Sequence, residues 1–573
     1  MPLPSQAIFS GTLENGYRRE LQSLVTKRAV SRLWAKDVSL WPVEEYEAGA
    51  VSSNLHWLDL PDQLAPLMAR VLARAADVEP AGFEDVVFIA TAEANMAADA
   101  VLRLPGARLS KRSFLIDTVD PDTLNALEEQ LRLERTLFIC ASKSGKSLET
   151  HALLLYFLQK LKLMGVENPG GHFVALAEGD SYLAQLARSY AFTDAFFDPP
   201  GILGRFSALI HFNFFLSAVG HFEPQDLLAR AHSMREACGP SAPESGNPAL
   251  SLGALLAASE LEGFHRLFVV GPGSLDPFAF RIARLVGAST ANKGRGILPF
   301  VAPASRASDA LPQKSLVAIL KTGGEEDKAL DEMRERLRAA GTPHVAIELN
   351  GPANLGVELF KWEIATALAC VQLRRNPFDD PESRESRAKT AQILDRVATR
   401  QHVPWTTVRV REGDLELFAE GETRQQISTL NMLEALRTFF NLRNPDGYLG
   451  LIPFLGITPE MDAALQTIRN RLESALRIPV MIAPAARYLH GLAQACKEGP
   501  PVGLFVLLTS EPASDVAVPG AGYSFGQLQL AMALAEFESL GRNERPVIRL
   551  HLARGTEPGL MQLESILSNV PGK

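Results

Sequence analysis

A chain of 573 residues exceeds what one hydrophobic core fills, and typical domain sizes suggest three or four structural units. Its composition, 46% hydrophobic and 21% charged, is that of an ordinary globular protein, and a net charge of −9 excludes a general affinity for nucleic acid or an anionic membrane surface, so any phosphate must be held in a local basic pocket. Cys140, Cys238, Cys370 and Cys496 are scattered without a C-x-x-C pair, which indicates neither a zinc knuckle nor a disulfide framework; no metal and no cofactor are expected.

The N-terminus, MPLPSQAIFSGTLENGYRRE, has no apolar h-region, and the most apolar stretch, Phe206 to Phe222, is interrupted by His211, Asn213 and His221. No membrane span and a cytoplasmic location are expected. A helical segment over about Tyr17 to Leu60 precedes a regular alternation: a strand at Val86 to Ile89, a helix over Met96 to Leu104, a strand at Phe114 to Ile116, a helix capped by Asp120 with Pro121 at its first position, and a strand at Leu137 to Ile139. A helix from Ser147 and a strand at Phe173 to Leu176 follow. Continuous apolar strands between amphipathic helices imply a parallel sheet covered on both faces, over residues 1–238.

Gly239 to Pro248, GPSAPESGNP, reads as a linker or surface loop. The pattern restarts over 249–390 with strands at Leu267 to Val270, Leu316 to Ile319 and Val345 to Ile347, and helices near Phe278 to Val286 and over Glu325 to Ala339. A closing portion, 391–573, keeps this grammar, with strands at Tyr448 to Phe454, Gly503 to Leu508 and Val547 to Leu550 and helices over Glu460 to Leu476 and Phe525 to Leu540. It is expected to pack on the second domain.

The chemistry concentrates at TLFICASKSGKSLETHALLLYFL, Thr136 to Leu158, where a strand breaks into Ser142, Lys143, Ser144, Gly145, Lys146 and Ser147 before a helix begins. A helix N-terminus with unpaired N–H groups, clustered hydroxyls and a glycine can seat a phosphate. Gly145-Lys146-Ser147 also matches the end of G-x-x-x-x-G-K-[ST], but Cys140 holds the place of the first glycine, so the loop is too short to wrap two phosphates. A plain serine-rich helix cap remains the other reading.

Several segments together resemble glucose-6-phosphate isomerase, specifically the isomerase half of bacterial bifunctional transaldolase/glucose-6-phosphate isomerases: SKSGKSLET (Ser142 to Thr150), GRFS (Gly204 to Ser207), FKWEIATALA (Phe360 to Ala369), NPFDDP (Asn376 to Pro381), RYLHGLAQ (Arg487 to Gln494) and YSFGQL (Tyr523 to Leu528). The resemblance spans most of the chain and begins so near Met1 that no transaldolase half is expected. It implies two sugar-isomerase domains of flavodoxin-like parallel-sheet α/β fold plus helical segments. It also implies interconversion of glucose 6-phosphate and fructose 6-phosphate, with Ser142 to Ser147 on the phosphate, Arg205 beside the enediolate, and His490 as a candidate for ring opening.

The pattern departs from the family where a base must move a proton between C2 and C1. A family stretch like ESTGKEGKGI is here Ala288-Ser289-Thr290-Ala291-Asn292-Lys293-Gly294-Arg295-Gly296-Ile297, and a methyl group accepts no proton. A glycine loop like GMGGSSL becomes Thr91 to Ala97, with Glu93 adding negative charge. In the motif like NPFDQPDVQASK the glutamine is Asp380 and the lysine is Arg387, with Lys389 two residues on. The expectation is a family member that keeps a hexose phosphate or phosphate seat while its own catalysis is in doubt. The alternative is a non-catalytic binding or scaffold partner of a sugar-phosphate pathway enzyme, as a homodimer or with an enzyme of the pentose phosphate or glycolytic pathways.

Overall fold

The computed structural model describes residues 6–8, 12–63, 73, 82–91, 99, 103, 112–142, 145, 147–207, 224–303, 312–323, 327–349, 352–400 and 407–569. They form two compact units, one of residues 1–116, 134–150 and 166–379, the other of 117–133, 151–165 and 380–573.

In the first unit, β1 (Gln6–Ile8) is followed by five strands that make an all-parallel sheet: β2 (Asp85–Ala90), β3 (Arg112–Ile116), β4 (Thr136–Ala141), β5 (Phe173–Glu178) and β6 (Asp194–Asp198). Their order is β3-β2-β4-β5-β6, the flavodoxin-like arrangement in which the strand order reverses between the first and third strands. Both faces of β2 and β4 are buried, which is why their sequences run apolar without alternation.

The second sheet of this unit uses β7 (Arg266–Gly271), β8 (Leu298–Pro303), β9 (Ser315–Thr322) and β10 (His344–Leu349), parallel throughout, with β1 added antiparallel to β10 at the edge. The order β1-β10-β9-β7-β8 repeats the first sheet's logic. Two flavodoxin-like parallel-sheet layers are therefore present, as the resemblance implies. Around them lies one core that includes Trp57, Phe206, Leu255, Ile282 and Trp362. The Pro/Gly/Ser-rich segment at 239–248 lies inside this unit: it makes a short turn, Glu244–Gly246, and ends at the buried Asn247, whose side chain caps the helix Pro248–Leu261. That helix is apolar all round because it is enclosed, and it meets the helix Pro352–Leu373 so closely that a Cβ on Gly253 would lie 2.7 Å from the Ala365 carbonyl oxygen.

The second unit has a sheet of its own, in the order β11-β12-β16-β15-β13-β14: β11 (Val410–Glu412), β12 (Leu415–Ala419), β13 (Tyr448–Phe454), β14 (Val480–Ile482), β15 (Gly503–Ser510) and β16 (Val547–Leu552). β13 to β16 are parallel and the β11–β12 hairpin closes one edge antiparallel. Its helices start where side chains satisfy the first N–H groups. Asp120 accepts the Thr123 N–H at 2.8 Å with Pro121 in the first position, Thr458 caps Pro459–Leu476, and Ser524 with Gln527 forms a reciprocal capping box for Phe525–Arg542.

Among the described residues no helix is long and apolar enough to cross a membrane, and no group of three or more His, Cys, Asp or Glu could hold a metal ion. The helix expected over Met96 to Leu104 and the apolar stretch from residue 208 onward lie outside the described residues, apart from Asp99 and Arg103.

Candidate functional site

The Ser142 loop leaves β4 at the point where the first sheet's strand order reverses, the position at which open α/β sheets bind ligands. Ser142 is buried and donates its N–H to the Leu176 carbonyl of β5 at 3.1 Å, while Gly145 turns back to the Ser142 carbonyl at 3.0 Å. Gly145 has φ +63°, and a Cβ there would lie 2.7 Å from Ser181 Cβ and 2.8 Å from the Tyr182 nitrogen. The glycine is thus required twice over, for its backbone angle and for its approach to the N-terminus of the helix Tyr182–Ser189.

Ser147 caps the helix Leu148–Leu163: its Oγ accepts the Thr150 N–H at 3.2 Å and donates to Glu149 Oε2 at 3.0 Å. Ser147 therefore performs the cap role weighed from the sequence. Glu149 was not singled out from the sequence, yet it is buried and turned back onto the loop, where its charge opposes an anion. Lys143, Ser144 and Lys146 lie outside the described residues.

Arg205 is buried in the turn Gly204–Phe206, with Nε 3.2 Å and Nη2 3.0 Å from the Pro377 carbonyl, and Nη2 also donates to the Asp379 carbonyl. The GRFS and NPFDDP segments, 172 residues apart in sequence, are thereby joined. Ala288 is buried near the end of the helix Asp276–Thr290, which packs against the Arg205 turn. Its neighbour Ser289 accepts, at the carbonyl, the Cys370 thiol proton at 3.3 Å. Burial pushes that thiol up to about 12, partly offset by the guanidinium groups of Arg375 and Arg205 nearby. Arg205 and the Ala288 segment thus share one neighbourhood of the first unit.

A carboxylate reaches this neighbourhood, and it is engaged. Glu260 has Oε1 on Arg375 Nη2 at 2.9 Å and Oε2 on Arg295 Nη2 at 3.2 Å, and Arg375 also donates to the Thr290 carbonyl. Its role is to fasten the loop from Ala291 to Ile297, where Lys293, Gly294 and Gly296 all have positive φ. Sequence reading missed it because Glu260 sits in an otherwise apolar helix, 35 residues from Arg295.

His490 and Arg387 belong to the second unit. His490 is half-buried on Tyr488–Leu492, which is wound as a π-helix, a geometry often associated with function. Arg387 is exposed on the helix Pro381–Arg400, and Lys389 is ion-paired with Glu538 at 2.6 Å. A polar cluster lies beside them. Lys497 and Glu536, both fully buried, pair at 2.8 Å, and Ser386 bridges them by accepting from Lys497 Nζ at 3.1 Å and donating to Glu536. Of the altered glycine loop, Ala92 to Ala97 lies outside the described residues.

No protein-family model matches the chain. It is 28% identical over 354 residues to a probable glucose-6-phosphate isomerase of Natronomonas pharaonis, covering 54% of this chain and 81% of that protein. To the probable glucose-6-phosphate isomerase of Haloquadratum walsbyi it is 24% identical over 323 residues, covering 50% and 74%. The chain is thus similar to probable glucose-6-phosphate isomerases over about half its length. The fold agrees: a crystal structure of a glucose-6-phosphate isomerase from Chlamydia trachomatis superposes with a TM-score of 0.50 at 18% identity, covering 67% of this chain and 86% of that one.

Proposed function

We propose that this chain is a member of the glucose-6-phosphate isomerase family, that it binds a hexose phosphate, or phosphate itself, through the loop Ser142 to Ser147, and that its own isomerisation of glucose 6-phosphate and fructose 6-phosphate is weak or lost. The observation that carries the reading is Ala288, a buried methyl group on the helix that packs beside Arg205, at the position where the motif resemblance puts the carboxylate base. Glu260 does not substitute, because each of its oxygens is held by a guanidinium group. Losing a positioned base lowers turnover by about 10²- to 10⁴-fold, or about 3–5 kcal/mol of barrier.

The same facts support the second reading, a non-catalytic hexose-phosphate-binding or scaffold partner of a sugar-phosphate enzyme, with glycolysis or gluconeogenesis as the setting, the cytoplasm as the location, and a homodimer or partner complex as the form. A coupled isomerase assay on protein prepared from a host lacking its own isomerase, run beside a thermal-shift series with phosphate, glucose 6-phosphate and fructose 6-phosphate, tests both readings. Stabilisation without turnover is the expected result. Robust turnover abolished by Arg205→Ala would overturn the loss of catalysis, and no stabilisation by any of the three would overturn the seat.

A further inference from the structure

The parallel part of the second unit's sheet has its own reversal of strand order: from β13 the chain passes to β14 on one side, then crosses back to β15 on the other. A ligand crevice is expected beyond the carboxyl ends of β13 and β15. Here that place is filled by the chain's own residues 120–125. Asp122, in the first turn of the helix Pro121–Gln130, accepts the Ala513 N–H at 3.0 Å on Oδ1 and 3.1 Å on Oδ2, and the Ser514 N–H at 3.3 Å on Oδ1. These two successive amides lie beyond Glu511 and Pro512, just past the end of β15, and consecutive N–H groups turned to one anion form a backbone nest.

Neighbouring contacts hold the carboxylate there. Asn125 donates to the Ser514 carbonyl at 3.0 Å, and Gln529, buried on the helix Phe525–Arg542, donates to Asp120 Oδ2 at 3.3 Å. On the β13 side the close approach needs a glycine. A Cβ on Gly456 would stand 2.5 Å from Thr123 Oγ1 and collide with Asp120 Oδ1.

We propose that the crevice at the carboxyl ends of β13 and β15 is an oxyanion-binding site occupied in cis by the Asp122 carboxylate. The nest formed by Ala513 and Ser514 recognises negative charge, and the chain supplies that charge itself. This assignment is independent of the Ser142 loop and of any isomerase activity.

The test is residue-resolved amide exchange at Ala513 and Ser514 in the full chain, for the unmodified protein, Asp122→Asn and Asp122→Ala, with and without inorganic phosphate. Asn keeps an oxygen acceptor of the same shape but loses the charge, so it separates an oxyanion site from a neutral hydrogen-bonded turn. Exchange at both amides is expected to rise about tenfold in Asp122→Asn and at least as much in Asp122→Ala, since charge-assisted hydrogen bonds are roughly twice as strong as neutral ones. Phosphate, at a sodium chloride-matched ionic strength, is expected to slow it again in both variants and to leave the unmodified protein unchanged. Protection retained in Asp122→Asn, or variant exchange that phosphate does not slow, overturns the proposal. Both positions are read locally, so phosphate bound at the Ser142 loop does not mimic the result.

Discussion

Gly145→Ala is the sharpest perturbation of the proposed phosphate loop, because the structure supplies its own control. At φ +63° an alanine costs about 1–2 kcal/mol for the left-handed conformation alone. Its Cβ would also stand 2.7 Å from Ser181 Cβ and 2.8 Å from the Tyr182 nitrogen, and neither is the free end of a flexible side chain. Forcing that contact apart adds about 1–3 kcal/mol. Gly165, just past the helix Leu148–Leu163, has φ +83° with nothing within 4 Å of its would-be Cβ, so Gly165→Ala carries the conformational cost without the collision. The measurement is thermal unfolding of both variants with and without phosphate. Gly145→Ala should melt lower than Gly165→Ala and lose the phosphate-induced upward shift, which Gly165→Ala should keep. Equal losses of melting temperature, or a full phosphate shift in Gly145→Ala, would refute the claim that this glycine fits the loop against the helix Tyr182–Ser189.

Three further outcomes are expected. His551 accepts the Thr509 hydroxyl at Nδ1 (3.1 Å), and the same hydroxyl oxygen accepts Arg549 Nη1 at 3.0 Å; burial first, then Arg549, pushes the imidazole down from 6.5 to about 4. Between those values only the unfolded chain takes up this proton, so stability falls by about 3 kcal/mol as pH drops through the window and no further below it; His551→Gln should flatten that acid limb in melts across pH 4 to 6.5, and an unchanged slope sinks the assignment. All four cysteines are buried with thiols pushed up by desolvation, to about 12 for Cys238, Cys370 and Cys496, so native protein at pH 8 should resist iodoacetamide while denaturant exposes four reactive thiols. Ala288→Glu puts a carboxylate into a closed helix face and should lower the melting temperature without raising turnover above background; robust isomerisation by this variant would show that the missing base was the sole defect.

The parallel strands were legible because burial on both faces leaves runs such as VVFI and LFVV with no polar residue to misplace. Strands that escaped carry polar or proline residues within or beside a short apolar run, as in DAFFD for β6 and LPFVAP for β8. β1 could not be read at all: three residues become a strand only by pairing with β10, more than three hundred positions away. The site was legible to the same degree. Ser147 as a cap and Asp120 with Pro121 follow from local rules, and both hold. That Arg205 grips the Pro377 carbonyl, that Glu260 is shared by two arginines, and that Lys497 meets Glu536 inside a helix junction are consequences of tertiary closure, which no local pattern encodes.

Two of the three reversals of strand order, at β2/β4 and at β13/β15, put one topological rule to opposite ends. At the first, β4 runs into a loop rich in hydroxyl groups, with a glycine held in the left-handed region so that backbone can approach backbone. At the second, β15 runs into two amides aimed at a carboxylate that arrives from 391 residues away in sequence. Successive N–H groups turned to one point, like the first N–H groups of a helix, call for an acceptor. The second unit meets that requirement from within, and the partner it uses is acidic. The loop after β4 meets part of it through Ser147 and turns the buried charge of Glu149 toward the same helix start. Any anion proposed for this loop has to outweigh that carboxylate, so the proposed seat stands or falls with added positive charge.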